Sequence, residues 1–572
     1  MISALGCGAA LTVTCAFADQ VPGAQTEEPA RKPALPAKPA PADLVRVAPS
    51  ADAGAPVMTD SGVSIAVAQF RFSGNASQPE QLLAPLLTRY VGKSLTLAQL
   101  NEAADVIKRH YRAKGWFLAQ AYIPAQQPAN GIVEIAVLEG RIDRLTVNVA
   151  PDAPISADYA NRLVAAHLQS GQTITETGLE APLLLLRDLP RVDAKSVINP
   201  GSVPGTASIA INLVKDPDVR VISGRVDLDN YGSKVTGSTR LGAEVNLNNP
   251  YGLGDSLSLR GFVASQSGNA FGRAGYNLPV GAGGARVGVS LARLDYVLGN
   301  LFAVLKPNGV ANVLSANIDY PLRRGRNSNL YTQLMLERKN LEDRTTSPFS
   351  SDKHALTSAR FQLSGDARDD FAGVTVFNVS LAAGKLHDDD PVRVANDALG
   401  LQTEGNFAKL LFSVQRLQQL LPGLHGMFSA SGQYTNKNLT SAEKFSIGGD
   451  STVRGFPVGT LVGDQGATAT AELRWTPAAL KFDRLDLAGV AFYDIGRVTR
   501  NHDNSRDLNP INTSTISGYG VGFNIAYGYS FLFKLSVAWP VKGLEQFDVA
   551  SGTRINEPKS GARAWALASY AF

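Results

Sequence analysis

Gly92-Lys93-Ser94 has the residue types that close a phosphate-binding loop, where a lysine and a hydroxyl meet nucleotide phosphates. That loop needs a glycine at position 87, where Leu87 stands, and a strand rather than a helix before it, so the string reads as a helix connection. Gly518, Gly520 and Gly522 alternate with Tyr519 and Val521, which makes them small residues on one face of a strand and not a dinucleotide fingerprint. His387-Asp388-Asp389-Asp390 has cation-binding types, yet no array of further ligands at defined spacing follows, and a solvated loop is expected. Six scattered histidines and the lack of G-x-S-x-G give no catalytic constellation, so no enzyme activity, cofactor or metal is expected. Phe492, Asp494 and Asp486 share one face of an alternating stretch, while Leu487, Tyr493 and Ile495 share the other. Asp494 is thus a carboxylate turned away from an apolar face.

The elements that would position such residues fall into distinct regions. Cys7 and Cys15 lie in the apolar stretch 1–18, which ends in Ala16-Phe17-Ala18, a small-x-small cleavage pattern. A signal peptide is expected there, with Cys15 as a lipoprotein anchor the competing reading; cleavage would leave a mature chain without cysteine. Residues 19–62 are rich in Pro and Ala and read as an extended linker that cannot bury enough apolar surface to fold alone. Fifty-four basic residues against 50 acidic ones give a net charge of +4, so nothing in the balance calls for a nucleic-acid partner.

Residues 64–140 read as β-α-α-β-β, with helices in PEQLLAPLLTRYVG and TLAQLNEAADVIKRHYRAKG and strands in VAQFRFSG, WFLAQAYIP and GIVEIAVLEG. The same order recurs over 141–217. After Pro217 alternation replaces helical periodicity. In 519–529 the odd positions are Tyr519, Val521, Phe523, Ile525, Tyr527 and Tyr529, with Gly520, Gly522, Asn524 and Gly528 between them. Mean hydropathy is −0.04, and no apolar run of about 18 residues reads as a spanning helix. Spanning strands need only every second residue to be apolar. At about 22 residues per strand and connection, positions 218–572 allow roughly 16 strands. A soluble β-sandwich is the alternative; aromatic residues near strand ends and a chain ending in Tyr570-Ala571-Phe572 favour the barrel.

The order of elements and several strings resemble the two-partner secretion transporters, the haemolysin-activator and filamentous-haemagglutinin transporter family. The strings are Tyr111 to Ile142 in the first module and Asp229 to Asp255 at the barrel entry. The resemblance implies a mainly β protein: a 16-stranded transmembrane antiparallel β-barrel preceded by two tandem α/β POTRA domains, at 64–140 and 141–217. Val453-Arg454-Gly455-Phe456 resembles the motif of the sixth extracellular loop, which in this superfamily folds back into the barrel. Phe492-Tyr493-Asp494-Ile495-Gly496 resembles the family's inward-facing F-x-D-x-G motif. A loop guanidinium meeting a wall carboxylate would form a bidentate, charge-assisted bond able to hold the loop inside the channel. Arg454, Gly455, Phe456, Phe492, Asp494 and Gly496 are the expected lock, and Tyr570 and Phe572 the expected barrel-assembly signal.

The function implied is outer-membrane translocation, without nucleotide hydrolysis, of a large haemolysin- or adhesin-type exoprotein whose N-terminal secretion domain docks to the periplasmic modules by strand addition. Further expected partners are outer-membrane lipid and, during biogenesis, the barrel-assembly machinery and periplasmic chaperones. The rival on the same fold is an insertase that assembles other barrels; its relatives usually carry more modules. A passive porin has no use for paired α/β modules. Whether 19–62 includes a helix that plugs the pore stays open.

Overall fold

The computed structural model describes residues 44–47, 64–265, 268–299, 307–346, 349–477, 484–507, 509–548, 553–556 and 561–572. The expected signal peptide lies outside the described residues, as does the expected linker apart from 44–47. In the first module the helix Leu97–Ala113 starts where Thr96 and Gln99 cap each other, Gln99 N–H donating to Thr96 Oγ1 and Thr96 N–H to Gln99 Oε1. Leu100, Ala103, Ala104, Ile107 and Tyr111 recur at helical spacing on its buried face. They pack on Phe70, Phe72, Val133, Ile135 and Val137 of the sheet Gln69–Ser73, Ile132–Leu138, Gln120–Tyr122. The expected helix at 79–92 is a short α-turn, Glu80–Leu83, continuing as 3₁₀ helix Ala84–Tyr90. Gly92 turns the chain with φ of +78°, and Lys93–Thr96 then pairs with Ser64–Val67.

The second module repeats the plan with helices Ala157–His167 and Glu176–Arg187 over strands Arg141–Val149, Val192–Pro200 and Thr206–Lys215. It carries one addition that composition concealed. Val45–Val47, inside the stretch read as a linker unable to fold alone, pairs in parallel with Ser196, Val197 and Ile198. Leu44 beside it is fully buried in this module's core. Composition averages over a window; a three-residue strand on a ready-made sheet edge needs only one apolar anchor and free backbone groups.

Sixteen of the described strands close an antiparallel barrel, running from Ile222–Asp229 to Arg563–Ala571. Strand lengths are uneven, from 8 residues in the first to 20 in the eighth, Phe349–Arg368. The last strand closes on the first through Arg225–Asp229 and Leu567–Ala571. Phe572 continues the closure by exchanging backbone hydrogen bonds with Gly224. Leu291, Leu336, Phe361 and Leu381 project outward and are exposed, as a lipid-facing band requires.

The second module seats against the short turns at one barrel mouth. Arg324, in the turn after the sixth strand Asn308–Arg323, holds Asp188 in a two-pronged bond of 2.8 and 2.8 Å. Arg326 pairs with Glu180 at 2.8 Å. Asn249, in the left-handed turn after the second strand, donates to Pro190 O. The long connections lie at the opposite mouth.

Candidate functional site

Residues 436–464 join the eleventh strand, Leu424–Thr435, to the twelfth, Gln465–Trp475, and fold back into the barrel as a hairpin of Phe445–Ile447 and Leu461–Gly463. Counting from the modules, this is the sixth connection at the distal mouth. Its tip carries Arg454. The thirteenth strand, Leu485–Thr499, buries Phe492, Asp494, Gly496 and Val498 while Tyr493 and Ile495 stay exposed, which puts Asp494 on the inward face of the barrel wall.

Arg454 Nε and Nη2 donate to Asp494 Oδ2 and Oδ1, each at 2.8 Å. The Arg454 backbone N–H adds a third bond to Oδ2 at 3.1 Å, and Thr470 Oγ1–H donates to Oδ1 at 2.9 Å. Asp494 is fully buried. A carboxylate so enclosed tolerates its charge only because donors surround it. Arg454 Nη1 donates to Glu472 Oε2 at 2.9 Å, and Glu472 also accepts from Arg474. Glu472 and Thr470 were not picked out from the sequence, although alternation in TATAELRW puts them on the inward face with Thr468. Trp565 Nε1–H, on the last strand, donates to the Arg454 carbonyl at 2.8 Å.

The glycines explain how a loop fits so close to the wall. A Cβ on Gly496 would come within 2.8 Å of Ile447 Cδ1 and 3.1 Å of Val453 Cγ2, both loop side chains. One on Gly455 would come within 3.0 Å of the backbone between Trp539 and Pro540. Phe456 joins Ile447, Val453, Val498 and Ile516 in an apolar cluster between loop and wall. Arg454, Gly455, Phe456, Phe492, Asp494 and Gly496 are therefore brought together, while Tyr493 and Ile495 face outward. Tyr570 and Phe572 sit elsewhere, on the outer surface at the barrel seam, and both are exposed.

The remaining sequence candidates play other parts. Asp390 caps the helix Pro391–Leu399 by accepting from Val392 N–H, and Asp388 is gripped by Arg393 at 2.6 and 2.7 Å. The stretch expected as a solvated loop thus opens a helix at the outer mouth. Gly518, Gly520 and Gly522 line the wall beside the site, with Phe492 lying over Gly520.

Two periplasm-type α/β modules on a closed sixteen-strand barrel with an infolded loop define a POTRA-plus-barrel protein of the outer membrane. Residues 65–140 match the POTRA domain of ShlB type, and residues 207–525 match the haemolysin secretion/activation protein ShlB/FhaC/HecB family. The chain belongs to that family. Among relatives, the heme/hemopexin transporter protein HuxB of Haemophilus influenzae is 28% identical over 80% of each chain. The outer membrane transporter CdiB of Dickeya dadantii is 22% identical over 85% of each. CdiB from Escherichia coli has the same fold, with a TM-score of 0.69 at 20% identity over 92% of this chain and 93% of that one. CdiB from Acinetobacter baumannii follows with 0.63 at 16% identity, over 90% and 91%. The protein is an outer-membrane transporter of two-partner secretion, with its POTRA modules in the periplasm, and it pairs with a secreted exoprotein.

Proposed function

We propose that the periplasmic modules capture an unfolded exoprotein by strand addition and pass it into the lumen, where the loop 436–464 acts as a gate held by Arg454. The observation that carries this is the infolded hairpin, pinned by one guanidinium to Asp494 and Glu472 across two adjacent strands. A bond with these partners is strong while closed, yet polar lumen and water can replace it on opening. Val45–Val47 occupies one edge of the second module's sheet. Among the described residues, the edge strands open to an incoming strand include Gln69–Ser73 and Gln120–Tyr122 in the first module and Val45–Val47 and Arg141–Val149 in the second.

The partner that fits this reading is a large exoprotein of haemolysin or adhesin type with an N-terminal secretion domain; a heme- or hemopexin-binding protein is one candidate, from the name of the relative HuxB. Transport needs no nucleotide, and folding of the substrate at the surface supplies direction. Outer-membrane lipid contacts the exposed apolar band, periplasmic chaperones escort the chain, and the assembly machinery reads Tyr570 and Phe572. The test is deletion of residues 64–140. A barrel that inserts but secretes nothing supports capture by the first module, and secretion surviving the deletion overturns it.

A further inference from the structure

The loop touches the wall at a second place, far round the barrel from Arg454. Glu443 sits in a single 3₁₀ turn, Ser441–Glu443, on the limb that descends from the eleventh strand. Its Oε1 lies 2.8 Å from Lys339 Nζ on the seventh strand, Ser328–Thr346, and its Oε2 lies 2.7 Å from Lys409 Nζ on the tenth, Gly405–Leu421. All three residues are at most 3% exposed. Lys339 also meets Glu337 at 3.2 Å, so two cations and two anions form a neutral buried group. The polarity is the reverse of the Arg454 site: here the loop brings the anion and the wall the cations.

Apolar packing marks the same limb as seated. Ala442 is buried with Leu294, Tyr296, Ala311 and Leu341 of the fifth, sixth and seventh strands. Leu439 packs with Leu356, Leu386 and Phe407 of the eighth, ninth and tenth. Gln433 donates to the Glu443 carbonyl at 2.9 Å. One limb of the loop thus lies on strands five to ten, whereas the tip lies on strands twelve and thirteen.

We propose that Glu443 is a second anchor of the gate, a positioning residue whose carboxylate, held between Lys339 and Lys409, keeps the descending limb across the lumen when the Arg454 end lets go. Neutralising it leaves two buried lysines sharing one carboxylate, a state that favours water entry and release of the limb. The inference rests on the reading of this loop as a gate, so its test must separate the two.

The full-length protein with Ser446→Cys suits the experiment, because the sequence has no cysteine after Cys15. A membrane-impermeant maleimide added to whole cells reads loop opening, and single-channel conductance of the purified protein reads lumen area. Glu443→Gln should raise the labelling rate roughly tenfold and increase conductance, while heat-modifiable migration shows the barrel assembled. Combined with Arg454→Ala, it should open the lumen further than either change alone. The exchange Glu443→Lys with Lys409→Glu keeps the group neutral and should restore slow labelling; it also serves if Glu443→Gln fails to assemble. Labelling and conductance unchanged in Glu443→Gln, or an exchange variant as open as the neutralised one, overturns the second anchor. A protein carrying both Arg454→Ala and Glu443→Gln that is as closed as the parent overturns the gate itself.

Discussion

The guanidinium of Arg454 lies over the ring of Phe492, its Cζ 3.2 Å from the ring centroid, and the Cζ edge of that ring lies against Gly520. The lock is therefore a stack as well as an ion pair. A flat cation on an aromatic face in a partly dry site gains electrostatic attraction that an ammonium on a flexible stem reproduces poorly.

Arg454→Ala should abolish most secretion although the barrel still inserts, and Asp494→Ala should be milder because Glu472 and Phe492 keep part of the grip. The double variant should be little worse than Arg454→Ala, with a coupling on the order of 1–3 kcal/mol in the stability of the docked loop. Arg454→Lys should rescue only in part. Secretion assays with insertion checked by surface labelling measure all four, and fully additive defects would refute the pair.

Gly520→Ala tests the stack without touching a charge. Its Cβ would fall 2.3 Å from both Phe492 Cζ and the Val537 carbonyl, so the ring or the strand must move. The expected loss is roughly 1–3 kcal/mol of barrel stability, with a more open channel. Thermal unfolding on gels and conductance would report it; a native melting profile with native conductance counts against the stack.

Asp188→Ala should loosen the second module from the barrel mouth. Arg324 would be left buried, but Asp188 is 31% exposed, so the cost should be roughly 1–3 kcal/mol, below that of orphaning a fully buried charge. Limited proteolysis around residues 216–221 should quicken in the variant. Equal cleavage rates would show that the Arg326–Glu180 pair and Asn249 suffice.

Leu44→Ala should fray the added strand while the second module stays folded. Ser196 N–H donates to the Leu44 carbonyl at 3.0 Å, so hydrogen exchange at Ser196 is the direct readout and should accelerate. Protection equal to the parent would show that Val45–Val47 holds without its anchor.

The sequence by itself determined the elements and the faces. Alternation needs only neighbours in the chain, which is why 519–529 read as a wall strand and Asp494 as inward before any partner was placed. The helix Leu97–Ala113 was legible for the same reason, through its period and its Thr96 cap. Composition misjudged residues 44–47, because the edge that Val45–Val47 completes is built about 150 positions later in the chain. Only the tertiary structure decided which inward groups meet. Lys339, Lys409 and Glu443 are unremarkable charged residues in sequence, and they become one buried group because barrel closure and strand register bring the seventh and tenth strands to opposite sides of a descending loop. Local periodicity fixes which way a side chain points, while its partner depends on the closure of the whole sheet, and that is a property of all sixteen strands together.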